Sequence, residues 1–182
     1  LYLRSREYHD HGHMNNPNLP RGRDTHRFSG FNYRMTEIQA VIAKAQLKKI
    51  DFIVSQNYKN YSLLEKELKK VKGVKFRKIP KKCTPLFDTL ILQFQDKNLA
   101  NNYVSNLNNL GLGTKNLPDA IEWHFAAYWN HMYSYFGVTE TEFKLFLKPS
   151  TDILERSVAL PIMVKPSLDN IEKQYEALKL TL

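Results

Sequence analysis

Cysteine is almost absent: a single Cys83 in 182 residues allows no internal disulfide and excludes a thiolate-rich zinc cage. That usage fits a reducing compartment, and a cytoplasmic protein is expected. No apolar run approaches the roughly 18 residues that a membrane span requires. The charged, His-rich beginning also lacks the apolar stretch of a secretory signal, so no membrane partner is expected. Internal repeats and low-complexity tracts are missing as well. Acidic residues are the minority, 18 Asp and Glu against 27 Lys and Arg, giving a net charge of +9. Such an excess suits nucleic acid, because clustered cations gain affinity by releasing counterions from phosphates. Here, however, Lys44, Lys48, Lys49, Lys59, Lys66, Lys69, Lys70, Lys72, Lys75, Lys81 and Lys82 are spread along the chain and interleaved with Glu65 and Glu67. That is the pattern of a solvated helix face followed by a surface loop, and no nucleic-acid partner is expected. An anionic small substrate would be drawn by the same field.

What is present, 42% hydrophobic and 12% aromatic residues, suffices for one well-buried core, or for one domain plus a piece of another. Turn formers dominate Asn15-Asn16-Pro17-Asn18-Leu19-Pro20-Arg21-Gly22, which reads as a long loop of functional type. Thr36 with Gln39 three residues on is a capping box. From it, Ile38, Val41, Ile42, Ala45, Leu47, Ile50, Val54, Tyr58, Tyr61, Leu64 and Leu68 recur by threes and fours. One long helix, bent near Asp51, is therefore expected to run to about residue 70 and to end before Gly73. Strands are expected at 74–79, 89–94 and 112–116, and helices at 98–110 (closed by Gly111), 121–132, 151–157 and after Ser167. Together these elements make a small α+β layer, an antiparallel or mixed sheet with helices on one face.

Three groups of residues are candidates for chemistry. Asn32 and Arg34 stand just ahead of the capped helix, on a rigid mount; an Asn amide donates to phosphate oxygens, and an Arg fork grips a carboxylate or phosphate. On spacing alone, the readings of Asn32 as a turn residue and Arg34 as a surface cation stand ahead. His9-Asp10-His11-Gly12-His13 alternates histidines that an extended segment would project to one side, a pattern for metal, phosphate or proton transfer. The partners of a closed metal site, more Cys or a His pair on a helix, are missing, and no metal is expected. The third group runs from Gly111-Leu112-Gly113-Thr114 to His124 and Ala127-Tyr128. Its two glycines are most simply a helix stop and a turn into a strand.

The run Gly30-Phe31-Asn32-Tyr33-Arg34-Met35-Thr36-Glu37-Ile38-Gln39-Ala40 closely resembles the opening of the inter-domain helix in the DegT/StrS family of sugar aminotransferases, enzymes that use pyridoxal phosphate (PLP). His11-Gly12, Gly111-Leu112-Gly113-Thr114, His124 with Ala127-Tyr128, Val158-Ala159-Leu160-Pro161-Ile162, and Lys165-Pro166-Ser167-Leu168-Asp169 match further family motifs in the correct order. One departure lies at 117–124, where an acidic and aromatic insert replaces the family's Tyr-x-Pro-x-His. The resemblance implies a fold-type-I aminotransferase, α/β to α+β. It assigns 1–35 to the end of the large cofactor domain with an active-site loop, 36–72 to the connecting helix and 73–182 to a small carboxy-terminal α+β domain.

It also implies that Asn32 reaches the PLP phosphate of a neighbouring subunit in a homodimer, and that Arg34, His11, Arg23, His26 and His124 serve substrate recognition. Arg21, Arg23 and Arg27 would suit an acid, since guanidinium pairs bidentately with carboxylate. Within the family, residues 9–13, 20–27 and 114–120 look most similar to the 8-amino-3,8-dideoxy-octulosonate transaminases, which aminate a keto-sugar acid destined for lipopolysaccharide. The partners then expected are an amino-acid donor, glutamate, and a keto-sugar acid. The family's Schiff-base lysine, its Gly-Glu-Gly-Gly turn and its pyridinium-binding Asp have no counterpart among these residues. The chain is accordingly expected to be the carboxy-terminal part of a longer enzyme, to carry no catalytic residue and to be inactive alone. Two rivals from other classes are a basic nucleic-acid-binding module, using the lysine-rich helix with Tyr58, Tyr61 or Phe76, and a His-rich metal-dependent hydrolase.

Overall fold

The computed structural model describes the backbone of residues 1–182 and every side chain except those of Arg21 and Phe136. The chain divides into two compact units, Leu1–Ile50 and Asp51–Leu182. In the first, helix α1 (Tyr2–Tyr8) leads into an irregular stretch containing a single 3-10 turn at Arg21–Arg23. Helix α2 (Glu37–Leu47) follows, and Thr36 caps it as its sequence predicts: its hydroxyl accepts from the Gln39 amide and the Gln39 side chain accepts from the Thr36 amide.

The periodic run is two helices rather than one bent helix. α2 stops at Leu47 and α3 spans Ile50–Leu68. Between them the Lys49 amide bonds to the Gln46 carbonyl at 2.9 Å, a step of three residues that tightens the last turn and breaks the four-residue ladder. Tyr61, Leu64 and Leu68, on one face of α3, are buried, which is what their spacing by three and four requires.

The second unit continues with strands β1 (Lys75–Phe76) and β2 (Thr89–Gln93), helix α4 (Lys97–Asn109), the short helices α5 (Ile121–His124) and α6 (Tyr133–Phe136), helix α7 (Glu140–Leu154), strand β3 (Ser157–Pro161) and helix α8 (Leu168–Thr181). The sheet is antiparallel in the order β1-β2-β3, with Leu90 opposite Leu160 and Leu92 opposite Val158. Its core joins Leu90, Leu92, Val158 and Leu160 to Tyr61, Leu64 and Leu68 of α3, Ala100, Tyr103 and Leu107 of α4, and Ala177 and Leu178 of α8. The Asp96 carboxylate caps α4 by accepting from the Leu99 amide at 2.9 Å, and Gly111 closes the helix at φ +75°.

Several expected elements differ. Segment 112–116 forms no strand: Asn116 turns left-handed at φ +67°, and the segment meets β3 through Lys115 N to Ala159 O (2.8 Å) and Ala159 N to Leu117 O (3.1 Å). The first strand is two residues long instead of the six expected at 74–79. The helix expected at 121–132 is α5 followed by 3-10 turns at Ala126–Tyr128 and Asn130–Met132. Helix α7 begins at Glu140, well before 151, behind a Thr139 capping box with Glu142, and carries Pro149 within it. An interior proline hides a helix from sequence reading, because it removes one ladder bond.

Candidate functional site

In the first unit, two strips of backbone are stitched side by side. Phe31 N bonds to Tyr8 O (2.8 Å), His11 N to Phe31 O (3.0 Å), Tyr33 N to His9 O (2.9 Å), and Met14 N to Thr25 O (3.0 Å). Asp10 faces Asn32, and His13 faces His26, as antiparallel bridges. Glycine makes this approach possible. A Cβ on Gly12, whose φ is +85°, would lie 2.0 Å from the Phe28 carbonyl oxygen, and one on Gly30 would lie 2.3 Å from the Gly12 nitrogen. Tyr8, Phe31 and Tyr33 pack ring to ring at 5.4–6.2 Å beside the seam.

The seam brings Asn32, Arg34, Asp10 and His11 together. Arg34 Nε lies 3.3 Å from Asp10 Oδ1 and 3.3 Å from Asn32 Oδ1, and His11 Nδ1 lies 3.3 Å from Asp10 Oδ1. Asp10 is 6% exposed, so its charge is buried and the Arg34 cation beside it offsets the cost of desolvation. Because Arg34 is held through Nε and Asn32 through its carbonyl oxygen, the outer nitrogens of the guanidinium and the Asn32 amide NH2 have no protein partner among the described residues. Both are donors on an exposed surface.

The histidines converge by a different route from the extended alternation expected. His9 turns away, its Nδ1 2.6 Å from the Arg6 carbonyl. His11 adopts φ +57° ahead of Gly12, and this left-handed turn draws His11 and His13 to the same side, with ring centres 5.9 Å apart. His26 packs on His13 at 4.2 Å. Asp24 holds the loop by accepting the amides of Asn15 (2.7 Å) and Asn16 (3.4 Å), with its carboxylate 4.0 Å from His13 Nδ1. Burial pushes the Asp24 carboxyl up. The backbone bonds of Asn15, Asn16 and Thr25, with the nearby His13, outweigh it and hold the group below the usual carboxylate range.

Arg23 is exposed in its 3-10 turn, and the Arg21 side chain lies outside the described residues. Arg27 reaches towards buried Glu7, 3.9 Å away. His124 belongs to the second unit, exposed at the end of α5. Near it in sequence, Trp129 Nε1 donates to the Trp123 carbonyl (3.1 Å) and Thr114 donates to Asp119 (2.6 Å). Tyr128 donates to Glu155 at 2.9 Å; its phenol is pushed up to about 12 by burial and by that carboxylate, and stays neutral at physiological pH. Sequence reasoning did not find the roles of Glu7 and Asp24, nor the pairing of Asp10 with Arg34. No periodicity marks a lone carboxylate that bonds across a turn, and the glycines at 12 and 30 were the available signal.

Of the aromatics named for the nucleic-acid alternative, Tyr61 is buried in the core, Lys69 sits 5.5 Å over the Phe76 ring, and Tyr58 is exposed. No described helix is long and apolar enough to cross a membrane.

Solved structures share this fold. An aminotransferase from Psychrobacter cryohalolentis superposes with a TM-score of 0.72 at 18% identity, over 98% of this chain and 48% of its own. The aminotransferase TlmJ from Streptoalloteichus hindustanus gives 0.71 at 15% identity, over 98% and 44%. Helicobacter pylori PseC, an aminotransferase involved in the biosynthesis of pseudoaminic acid, gives 0.68 at 15% identity, over 97% and 44%. The chain thus spans a little under half the length of these structures. The sequence of residues 1–179 matches the model of the DegT/DnrJ/EryC1/StrS aminotransferase family, and the chain belongs to that family.

Proposed function

We propose that the complete protein is a PLP-dependent sugar aminotransferase that works as a cytoplasmic homodimer. It passes an amino group from an amino acid, glutamate, to a keto-sugar acid. The motifs at 9–13, 20–27 and 114–120 favour 8-keto-3,8-dideoxy-octulosonate as that acid, and with it a role in making lipopolysaccharide sugars. The observation that carries this reading is the pair of unused donors on a fixed mount: the Asn32 amide NH2 and the outer Arg34 nitrogens, held ahead of the capped helix α2. That donor set fits the phosphate end of PLP and a neighbouring anionic group. When bound, PLP supplies the electron sink for moving an amino group.

The roles of this chain's own residues follow from what each can donate. Asn32 donates to a phosphate oxygen, across a subunit boundary. Arg34 offers its free fork to the carboxylate of the substrate, its Nε fixed by Asp10. His11, His26, Arg23 and His124 bind the sugar acid. No lysine of this chain is assigned to hold the cofactor, and the chain alone is proposed to be inactive.

The test uses the complete protein with Asn32→Ala or Arg34→Ala. Loss of one charge-assisted hydrogen bond costs about 1.5–3 kcal/mol, so Asn32→Ala should lose PLP on dialysis about 10- to 150-fold more readily. Arg34→Ala should retain PLP and lose turnover. Mixing the double variant with a chain lacking the cofactor lysine should restore about a quarter of the sites, since one of the two sites in each mixed dimer is intact. Mixed dimers with no restored activity would put these residues and the lysine in the same subunit and refute the shared site.

A further inference from the structure

We propose that Asp10, His11 and His13 form a binding site for a divalent transition-metal ion, and that Asp24 orients His13 within it. One nitrogen from each histidine and one oxygen from Asp10 lie within 4.8 Å of one another. One edge, His11 Nδ1 to Asp10 Oδ1, is 3.3 Å. Metal–ligand bonds of about 2.0–2.1 Å give a tetrahedral edge of about 3.3–3.4 Å, so this pair already stands at coordinating separation.

His13 also carries an independent sign. Its Nδ1 is buried and has no hydrogen-bond partner among the described residues, an uncommon state for a ring nitrogen. A metal on Nδ1 would use that atom directly. A metal on Nε2 would fix the Nδ1–H tautomer pointing to the Asp24 carboxylate 4.0 Å away, the usual carboxylate support of a ligating imidazole. The left-handed pair His11 and Gly12, with the close approach at Gly12, fixes the turn that brings the ligands together. Two imidazoles and one carboxylate suit zinc, nickel, copper or cobalt rather than calcium or magnesium. Since the His11 side chain is 46% exposed, the site has an entrance and keeps a coordination position for water or an anionic oxygen. Arg34 Nε lies 3.3 Å from the same Asp10 oxygen, so the guanidinium and the metal ion share this carboxylate and weaken each other's hold on it.

This inference does not rest on the aminotransferase reading, because it needs neither PLP nor turnover. Metal-stripped complete protein, free of PLP, is titrated with Co2+ and followed by visible absorption. One equivalent should bind with ligand-field bands and without thiolate charge transfer. His13→Ala should weaken binding at least tenfold. Asp24→Asn, which keeps all three ligands, should weaken it about tenfold, and Arg34→Ala should tighten it by removing a rival cation. Circular dichroism of each variant checks that it remains folded. Wild-type binding no tighter than that of folded His13→Ala and Asp24→Asn overturns the proposal, as does a cobalt signal that survives in His13→Ala and disappears in Cys83→Ser.

Discussion

Within Leu1–Ile50 the described residues that are buried are Glu7, Asp10 and Gly12. Within Asp51–Leu182 the buried set is led by fourteen hydrophobics in one cluster, from Tyr61 to Leu178. The two units therefore stand on different physics. The second is held by area removed from water, at about 25 cal/mol per Å2 of apolar surface, and that contribution is spread over many side chains. The first is held by backbone bonds between two strips, by glycines that permit contact at van der Waals range, and by carboxylates answered by Arg34, His11 and loop amides. Every residue of α2 is exposed, so this helix adds no core to it. The difference separates stability from chemistry: the donors and ligands of the candidate site sit where few apolar contacts hold them, and small local changes there should be felt as loss of geometry rather than as global unfolding.

The sharpest way to break the comparison is to cut the core. Leu160 is fully buried in β3 and lies opposite Leu90. Leu160→Ala should destabilise the protein by about 2–5 kcal/mol, from lost transfer energy and the cavity left behind. A fall in the urea midpoint with an unchanged slope would show it. The outcome counts against a shared apolar core if the midpoint moves by less than a tenth of the total.

A smaller effect of opposite kind is expected at Gly12. Alanine there must adopt a φ of +85° and place its Cβ 2.0 Å from the Phe28 carbonyl oxygen, so the two strips must part. Strain of this sort costs about 1–3 kcal/mol. Limited proteolysis should then cleave the variant faster between residues 9 and 35, while tryptophan fluorescence, which reports Trp123 and Trp129 of the second unit, keeps its unfolding midpoint. A matching shift in both signals would show that the two units unfold as one.

The same contrast explains what could be read from the sequence. The helices α3, α4 and α8 and the strand β2 were legible because burial on one face imposes a period, seen in Tyr61, Leu64 and Leu68, or in Leu90 and Leu92. The capping box at Thr36 was legible because its chemistry is local. The break at Lys48 and Lys49 was not, since the apolar pattern runs on through it with Leu47, Ile50 and Val54. Helix α7 was hidden by Pro149, and the strip at 112–117 by a left-handed Asn116. In the first unit the residue types of the candidate site were legible and its geometry was not. Asp10, His11 and His13 meet because of two left-handed residues in succession, and a linear reading as an extended segment gives a different set of neighbours.

The smallest expected effect lies in an ion pair of the second unit and asks whether polar contacts matter there at all. Lys115 Nζ is 2.6 Å from Asp88 Oδ2. This hydrogen bond, acting against some desolvation, holds the Asp88 carboxyl below its usual value of 3.8. A depressed folded pKa means stability that is present above the unfolded value and is lost as pH falls through the folded one. The contribution should therefore be intact at pH 7 and fade on acidification below about pH 4. Because half of the Asp88 side chain is exposed, solvent screening keeps the pair within about 0–1 kcal/mol. Lys115→Met should lower the urea midpoint slightly at pH 7 and by a smaller amount at a strongly acidic pH, with added salt shrinking the difference at pH 7. An equal loss at both pH values would mean that Lys115 acts through packing along β3, and the second unit would then owe nothing measurable to this charge pair.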